Sequence, residues 1–290
     1  FGKWAALGIP SVALLQLRIG GTALILLLAL LLFRPQSFRR FRPSRADWAV
    51  LPVLVLVSPL ANQLLFVIGL RYAAPSTSAL LYSLIPLLVL LIGVLVLRTE
   101  RFTQNKLLGI GLALVGVVLV IRTSGPQAPG DNPLLGVVLT FGSVLCWAWY
   151  IVFNRRFVQR YPPLEFITLL MVLGTVIFLP VGLPALLDLD WAAIDGRSWF
   201  GLFYLTAFNS AASFLLMASA LQRLQASQAS VYTNLQPGLA ALFSAAWGLE
   251  LLTPIMAVGM ALAFVGVYLL NRRTPLMRRP QLAFHRSKGH

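Results

Sequence analysis

Charge is scarce in this chain. Asp, Glu, Lys and Arg make up 11% of its 290 residues, while 59% are hydrophobic. A soluble domain carries about 25% charged residues, so this composition excludes an ordinary soluble fold as well as disorder. Cysteine is scarcer still. Cys146 stands alone in an apolar run, which excludes a disulfide framework and a cysteine-based zinc site. The two histidines, His285 and His290, both lie in the terminal tail. A Ser–His–Asp or Cys–His centre needs a histidine in the body of the fold, so an enzyme is not expected, nor a metal or other cofactor. No cleavable signal peptide is recognisable. Nor does an Asp, Glu or His lie deep in any apolar run, Glu165 at the start of its run being the nearest exception. An obvious proton relay is therefore missing.

Long apolar runs are what the chain has instead. They lack the alternation of barrel strands and point to an all-α polytopic membrane protein. A helix crossing a bilayer needs roughly 20 mostly apolar residues. Nine candidates occur, at about 11–33, 49–71, 76–97, 106–122, 134–154, 164–187, 199–221, 228–249 and 254–271. The formal net charge of +15 is distributed unevenly over the breaks between them. Eighteen of the 23 Lys and Arg residues fall on alternate loops and the tail: Arg34–Arg45, Arg98–Lys106, Arg155–Arg160, Arg223 and Arg272–Lys288. The positive-inside rule places that set, with the C-terminus, in the cytoplasm and Phe1 outside. The charge thus orients the chain and can hold anionic lipid, and no nucleic-acid partner is expected.

The chain also repeats itself. Pro86 and Pro237 are 151 residues apart, and at that offset Trp48 matches Trp199, Ala61 matches Ala212, Leu70 matches Leu221 and Ser76 matches Ser227. One residue of slippage aligns Glu100 with Glu250, Gly109 with Gly259 and Gly116 with Gly266. Upstream, an offset of 153 aligns Pro10 with Pro163 and Gly21–Thr22 with Gly174–Thr175. The copies divide the chain into a first repeat (1–123), a linker (124–132), a second repeat (133–272) and a basic tail (273–290). The second copy has five spans and the first has four. The expectation is inverted five-helix repeats, with nine transmembrane helices of ten and the first helix absent; the chain also begins without methionine. An odd number of helices per copy inverts the halves relative to each other.

The residues that carry this pattern resemble the EamA-type branch of the drug/metabolite transporter superfamily. They are Ile9-Pro10 followed by Arg18, then Pro75-Ser76-Thr77-Ser78-Ala79-Leu80-Leu81 leading to Pro86, Glu100 and Gly109–Gly116. Ala229, Pro237, Glu250 and Gly259–Gly266 repeat it. The chain departs from the pattern in its missing first helix and in Met171 where the first repeat has Arg18. The resemblance implies a secondary transporter in the bacterial inner membrane, exporting amino acids, other metabolites or drugs. Association into a homodimer stays open.

Polar side chains inside a bilayer are costly and usually face a cavity or another helix. Those that recur in both copies are candidates to line a shared path: Ser58 with Asn209, Asn62 with Ser213, Tyr82 with Thr233, and Ser83 with Asn234. Ser78 and Ser230 lie in the same spans and are counted with them. Interhelical or same-helix hydrogen bonding is the alternative for each. At 100° per residue, Thr140, Ser143, Trp147, Tyr150 and Asn154 fall within roughly 80° of one another. Ser143, Trp147 and Tyr150 from that stripe join the candidates, with packing or interfacial anchoring as the alternative for the aromatics. Pro86 and Pro237 bend their helices, as gating elements or as static kinks.

Two roles are open to Arg18, the one charge well inside a span: attracting a substrate carboxylate or phosphate, or tying the carbonyl ends of neighbouring helices. Glu100 and Glu250 read as boundary residues that cap or pair with loop cations. The whole points to alternating-access transport of small organic metabolites, foremost amino acids or similar zwitterionic or neutral solutes, driven by the substrate's own gradient. The rivals are a multidrug exporter and a non-transporting scaffold or lipid-carrier accessory.

Overall fold

In the computed structural model, residues 8–34, 41–72, 75–123, 132–235 and 253–271 are described, with Ala5, Gln36, Leu239 and Leu242 besides. Every regular element among them is helical. Helix α1 runs Ser11–Phe33, its start set by Pro10. The second span is broken: α2 (Arg45–Val55) passes through a π-helical stretch, Leu56–Ala61, into α3 (Asn62–Tyr72). The third is broken as well, into α4 (Pro75–Ser83) and α5 (Ile85–Leu91). Helix α6 (Gln104–Thr123) closes the first half. The second half holds α7 (Pro133–Val158), α8 (Pro163–Leu187), α9 (Gly196–Tyr204), a π stretch Leu205–Ala212, α10 (Ser213–Arg223), α11 (Ala226–Val231) and α12 (Pro254–Asn271). Five of these elements or continuous pairs are long and apolar enough to cross a membrane, and three shorter apolar helices accompany them. Of the expected span 228–249, only the part through Leu235 and Leu239 and Leu242 are described.

The expected spans differ from the helices in one instructive way: four of them are interrupted. Ser58 leaves helical geometry (φ −158°, ψ 116°) because Pro59 follows it. A proline's ring pushes the preceding residue toward extended backbone and its missing N–H opens the ladder. The second half has its π stretch at the corresponding place, Leu205–Ala212, although Ser210 stands where Pro59 would align. Ahead of Pro86 the chain makes a tight turn at Leu84, whose N–H donates to Leu81 O. After Val231 a 3₁₀ turn, Tyr232–Leu235, takes the equivalent position.

The halves pack crosswise, as a pseudo-two-fold requires. A Cβ on Gly116 would come within 2.7 Å of Ala263 N and closer still to Gly259 O. A Cβ on Gly266, the repeat equivalent of Gly116, would come within 2.7 Å of Ala113 N and 2.5 Å of Gly109 O. The two environments are the same with the halves exchanged, which makes α6 and α12 an antiparallel, self-complementary pair. Lipid supplies no hydrophobic drive between helices, so backbones this close gain through packing that only small residues allow. A second exchange joins α1 and α8 to the broken spans. Gly21 faces Thr206, and its equivalent Gly174 faces Val55, the equivalent of Thr206.

The loops segregate to two ends. At one, Tyr161 OH accepts from Ser44 N–H (3.1 Å) and bonds Asp47 Oδ2 (2.5 Å), which also pairs with Arg160 at 3.2 Å. Arg155 Nε donates to Leu224 O and Gln222 Nε2 to Val158 O at the same end. At the other end Ala5, Ile9, Ala13 and Leu14 pack with Ile194 and Leu202. The cation-bearing loops therefore gather on one face of the bundle.

Candidate functional site

The stripe on α7 turns inward. Thr140, Ser143, Tyr150 and Asn154 are all buried, and Trp147 is half-buried. Gly69 on α3 lets that helix approach, since a Cβ there would sit 2.6 Å from Thr140 Oγ1. At the centre of the stripe Ser143 binds two residues of the first half. Its hydroxyl donates to Asn62 O (2.9 Å) and accepts from Asn62 Nδ2 (3.0 Å); Asn62 Nδ2 also reaches Ser143 O (2.9 Å). With its one proton so placed, Ser143 Oγ is the acceptor in its 2.7 Å contact with Tyr82 OH. Asn62 is the first residue of α3 after the π stretch, so the break in the span aims the amide at α7.

Arg18 on α1 joins this centre from the side. Its Nε donates to Ser210 Oγ at 2.7 Å, on the second half's π stretch, and Tyr82 lies within range of its charge. The partner it finds there is a hydroxyl rather than a helix carbonyl. Among the described residues this is the only hydrogen bond of its side chain, and it enters no ion pair. Farther along α7, Trp147 stacks on Tyr150 (5.3 Å, 24°) and meets Phe214 edge-on. Both halves thus contribute: Arg18, Asn62 and Tyr82 from the first, Ser143, Trp147, Tyr150 and Ser210 from the second.

Other candidates fall elsewhere. Asn209 and Ser213 are exposed, and Ser213 Oγ donates back to Phe208 O, so the symmetric partners of Ser58 and Asn62 do not turn inward with them. The physical reason is the second π stretch, which carries no proline and shifts the face that α9 and α10 present. Ser83, Ser230 and Thr233 donate to carbonyls of their own turns, at Leu80, Ser227 and Ser230. Ser58 Oγ, Ser78 Oγ, Tyr150 OH and the Asn234 amide are buried with no hydrogen-bond partner among the described residues. Pro86 sits at the start of α5. Pro237 and Glu250 lie outside the described residues.

Two carboxylates already singled out in the sequence are buried; Glu100 pairs with a loop cation and caps a helix, as expected of it. Glu100, expected at a boundary, is buried (6% exposed) and spans the halves. It pairs with buried Lys106 at 2.5 Å, accepts Ser227 N–H at 3.1 Å and binds the Ser227 hydroxyl. Ser227 stands in the first turn of α11, so the carboxylate meets that helix where unpaired N–H groups favour an anion. Glu165 is 1% exposed, and neither carboxylate oxygen has a hydrogen-bond partner among the described residues; Asn154 is buried in the same condition. Sequence reasoning passed over Ser210 because the test asked for polarity in both copies and its equivalent is Pro59. Among the described residues no group of acidic, histidine and cysteine side chains could hold a metal ion.

Comparison with known proteins agrees with this architecture. An uncharacterised transporter of Bacillus subtilis (strain 168), YyaM, is 29% identical over 254 residues, covering 86% of this chain and 81% of that protein. A probable terminal-alkyne amino-acid exporter of Streptantibioticus cattleyicolor is 27% identical over 272 residues, 94% and 87% of the two chains. A crystal structure shares the fold with a TM-score of 0.74 at 20% identity, covering 92% of each chain. Residues 1–122 and 134–272 match the EamA-like transporter family, and the chain belongs to that family of membrane transporters.

Proposed function

We propose that this transporter moves small organic metabolites, foremost amino acids or similar zwitterionic solutes, out of the cell across the bacterial inner membrane. The cation-rich end and the C-terminus face the cytoplasm. The observation that carries the reading is the inward polar centre, where Asn62, Tyr82 and Ser143 meet between two interrupted spans beside Arg18. Uncharged hydroxyls and amides flanked by Trp147, Tyr150 and Phe214 suit a solute with polar groups and an organic body. The amino-acid exporter among the relatives supports the same class.

Broken helices in corresponding places of inverted halves suit alternating access around a fixed midplane site. Transport follows the solute's own gradient. Counterflow in proteoliposomes, against amino acids, nucleobases and cationic drugs, tests the reading: exchange of amino acids supports it. Preferred exchange of cationic drugs would favour the multidrug alternative, and no exchange at all the scaffold. If uptake instead tracks an imposed pH gradient and stops without it, passive coupling is wrong. Glu165→Gln then identifies the buried carboxylate responsible by abolishing that dependence.

A further inference from the structure

We infer that Arg18 is the carboxylate-recognising group of the transport site and that Ser210 holds it in position. The inference rests on the transport reading above and names which solutes the site takes. Arg18 is half-buried within α1, in a segment long and apolar enough to span the membrane. An arginine near the centre of a span costs about 2.5–3.5 kcal/mol on insertion scales, so its retention calls for a partner.

The protein supplies little of one. Among the described residues the side chain makes a single hydrogen bond, through Nε to Ser210 Oγ, and no carboxylate pairs with it. A guanidinium has five N–H donors in a planar fork. Anchoring it at Nε leaves the two terminal nitrogens, the pair that meets a carboxylate edge-on, without acceptors among the described residues. The anchor is itself placed by the π stretch Leu205–Ala212, and Thr22 Oγ1 knits the same junction by donating to Arg18 O at 2.7 Å and lying 3.3 Å from Thr206 O.

The charge balance selects a carboxylate over a phosphate. The remaining cations near the bundle interior, Lys106 and Arg155, are engaged at the cation-rich end with Glu100 and Leu224 O. One fixed positive charge neutralises a carboxylate and leaves a phosphate dianion uncompensated. Tyr82, within range of the Arg18 charge, offers a polar neighbour whose hydroxyl is already oriented toward Ser143. The half-buried indole of Trp147, one turn along α7 from Ser143 and backed by the buried Tyr150 ring, is the aromatic group left for the ammonium of a zwitterion.

Counterflow with matched solutes tests this: leucine and phenylalanine against their carboxamides, which keep the amine and side chain and remove the carboxylate. The wild type should move the acids in preference by roughly tenfold or more, the scale of a charge-assisted pair. Arg18→Gln should abolish that preference while carboxamide flux persists, and Arg18→Lys should restore part of it. Ser210→Ala should narrow the preference without removing it, and it decides the matter if Arg18→Gln does not reach the membrane. Equal loss of acids and amides in Arg18→Gln, or an unchanged preference in Ser210→Ala, overturns the inference. A wild type that transports but does not distinguish acid from amide overturns it too and leaves the transport reading standing. A wild type that moves none of these solutes defeats both.

Discussion

The hydroxyl of Tyr82 is the most exposed link in the Asn62–Ser143–Tyr82 centre, because Asn62 and Ser143 hold each other through three contacts without it. Tyr82→Phe therefore keeps the centre folded and removes the 2.7 Å donor to Ser143 together with the long 3.5 Å contact from Asn62 Nδ2. A hydrogen bond of this kind contributes about 1 kcal/mol, so the thermal midpoint in detergent should move little. Solute affinity in counterflow should fall by up to about tenfold, since the freed Ser143 lone pair no longer fixes the ring beside Arg18. Unchanged affinity would place Tyr82 outside the path. Residues of this kind were legible as types. A polar stripe at helical spacing along an apolar span has to face inward, and Thr140 through Asn154 do. What was not legible is which partner each finds. The rule that equivalent polar residues converge holds for Asn62 and fails for Ser213, because the proline at 59 and the serine at 210 break their spans in different ways. Arg18 shows the same limit: its need for a partner follows from one charge in an apolar run, while Ser210 becomes its neighbour only through the packing of α1 on the second half.

Among elements, the contact of α6 with α12 makes the sharpest claim. Gly116→Ala and Gly266→Ala each drive a methyl into backbone atoms of the facing helix, which cannot yield as a flexible side chain would. Overpacking typically costs about 1–3 kcal/mol, and a backbone clash belongs at the upper end or beyond. Because the environments are exchanged copies, the two substitutions should lower the thermal midpoint by similar amounts. Gly111→Ala, with nothing within 4 Å of its Cβ, should leave the midpoint unchanged or slightly raised. Unequal effects from Gly116 and Gly266 would contradict the pseudo-two-fold. The glycines were visible as a spaced pattern, and the repeat alignment paired them correctly. The crosswise contact needed the fold. Glu100 pairs with a loop cation and caps a helix as its place in the sequence suggests, while its burial became visible only with the fold, since a charge flanking an apolar run looks solvated until another loop covers it. Glu100→Gln leaves Lys106 buried at 1% exposure without its counterion, a change that typically costs about 3–5 kcal/mol. Adding Lys106→Met should recover much of that loss, and a double variant no more stable than Glu100→Gln alone would show that Ser227, not Lys106, is the partner that matters.

For the whole molecule, inverted halves carry a consequence for motion. If two copies of one five-helix unit face opposite sides, a contact that ties one end has a counterpart in sequence at the other, and alternating access trades one for the other. Here the cation-rich end is tied: Glu100, from the first half, holds Ser227 at the start of α11. The repeat alignment makes Glu250 the equivalent of Glu100 and Ser76 the equivalent of Ser227. The two glutamates should therefore bias the resting state in opposite directions. Cys146 offers a built-in reporter, being the chain's one cysteine and half-buried on α7 between Ser143 and Trp147. Its labelling by a membrane-impermeant maleimide can be followed from either side in vesicles of known orientation. Glu100→Gln should speed labelling from the cation-rich side and slow it from the opposite side, and Glu250→Gln should do the reverse. Each 1.4 kcal/mol of bias corresponds to about tenfold in the ratio of the two states, so even a modest loss of the tie gives a measurable change in rate. Labelling that changes in the same direction for both variants would mean that the glutamates merely stabilise the fold, and the inverted repeat would then account for the architecture without accounting for the cycle.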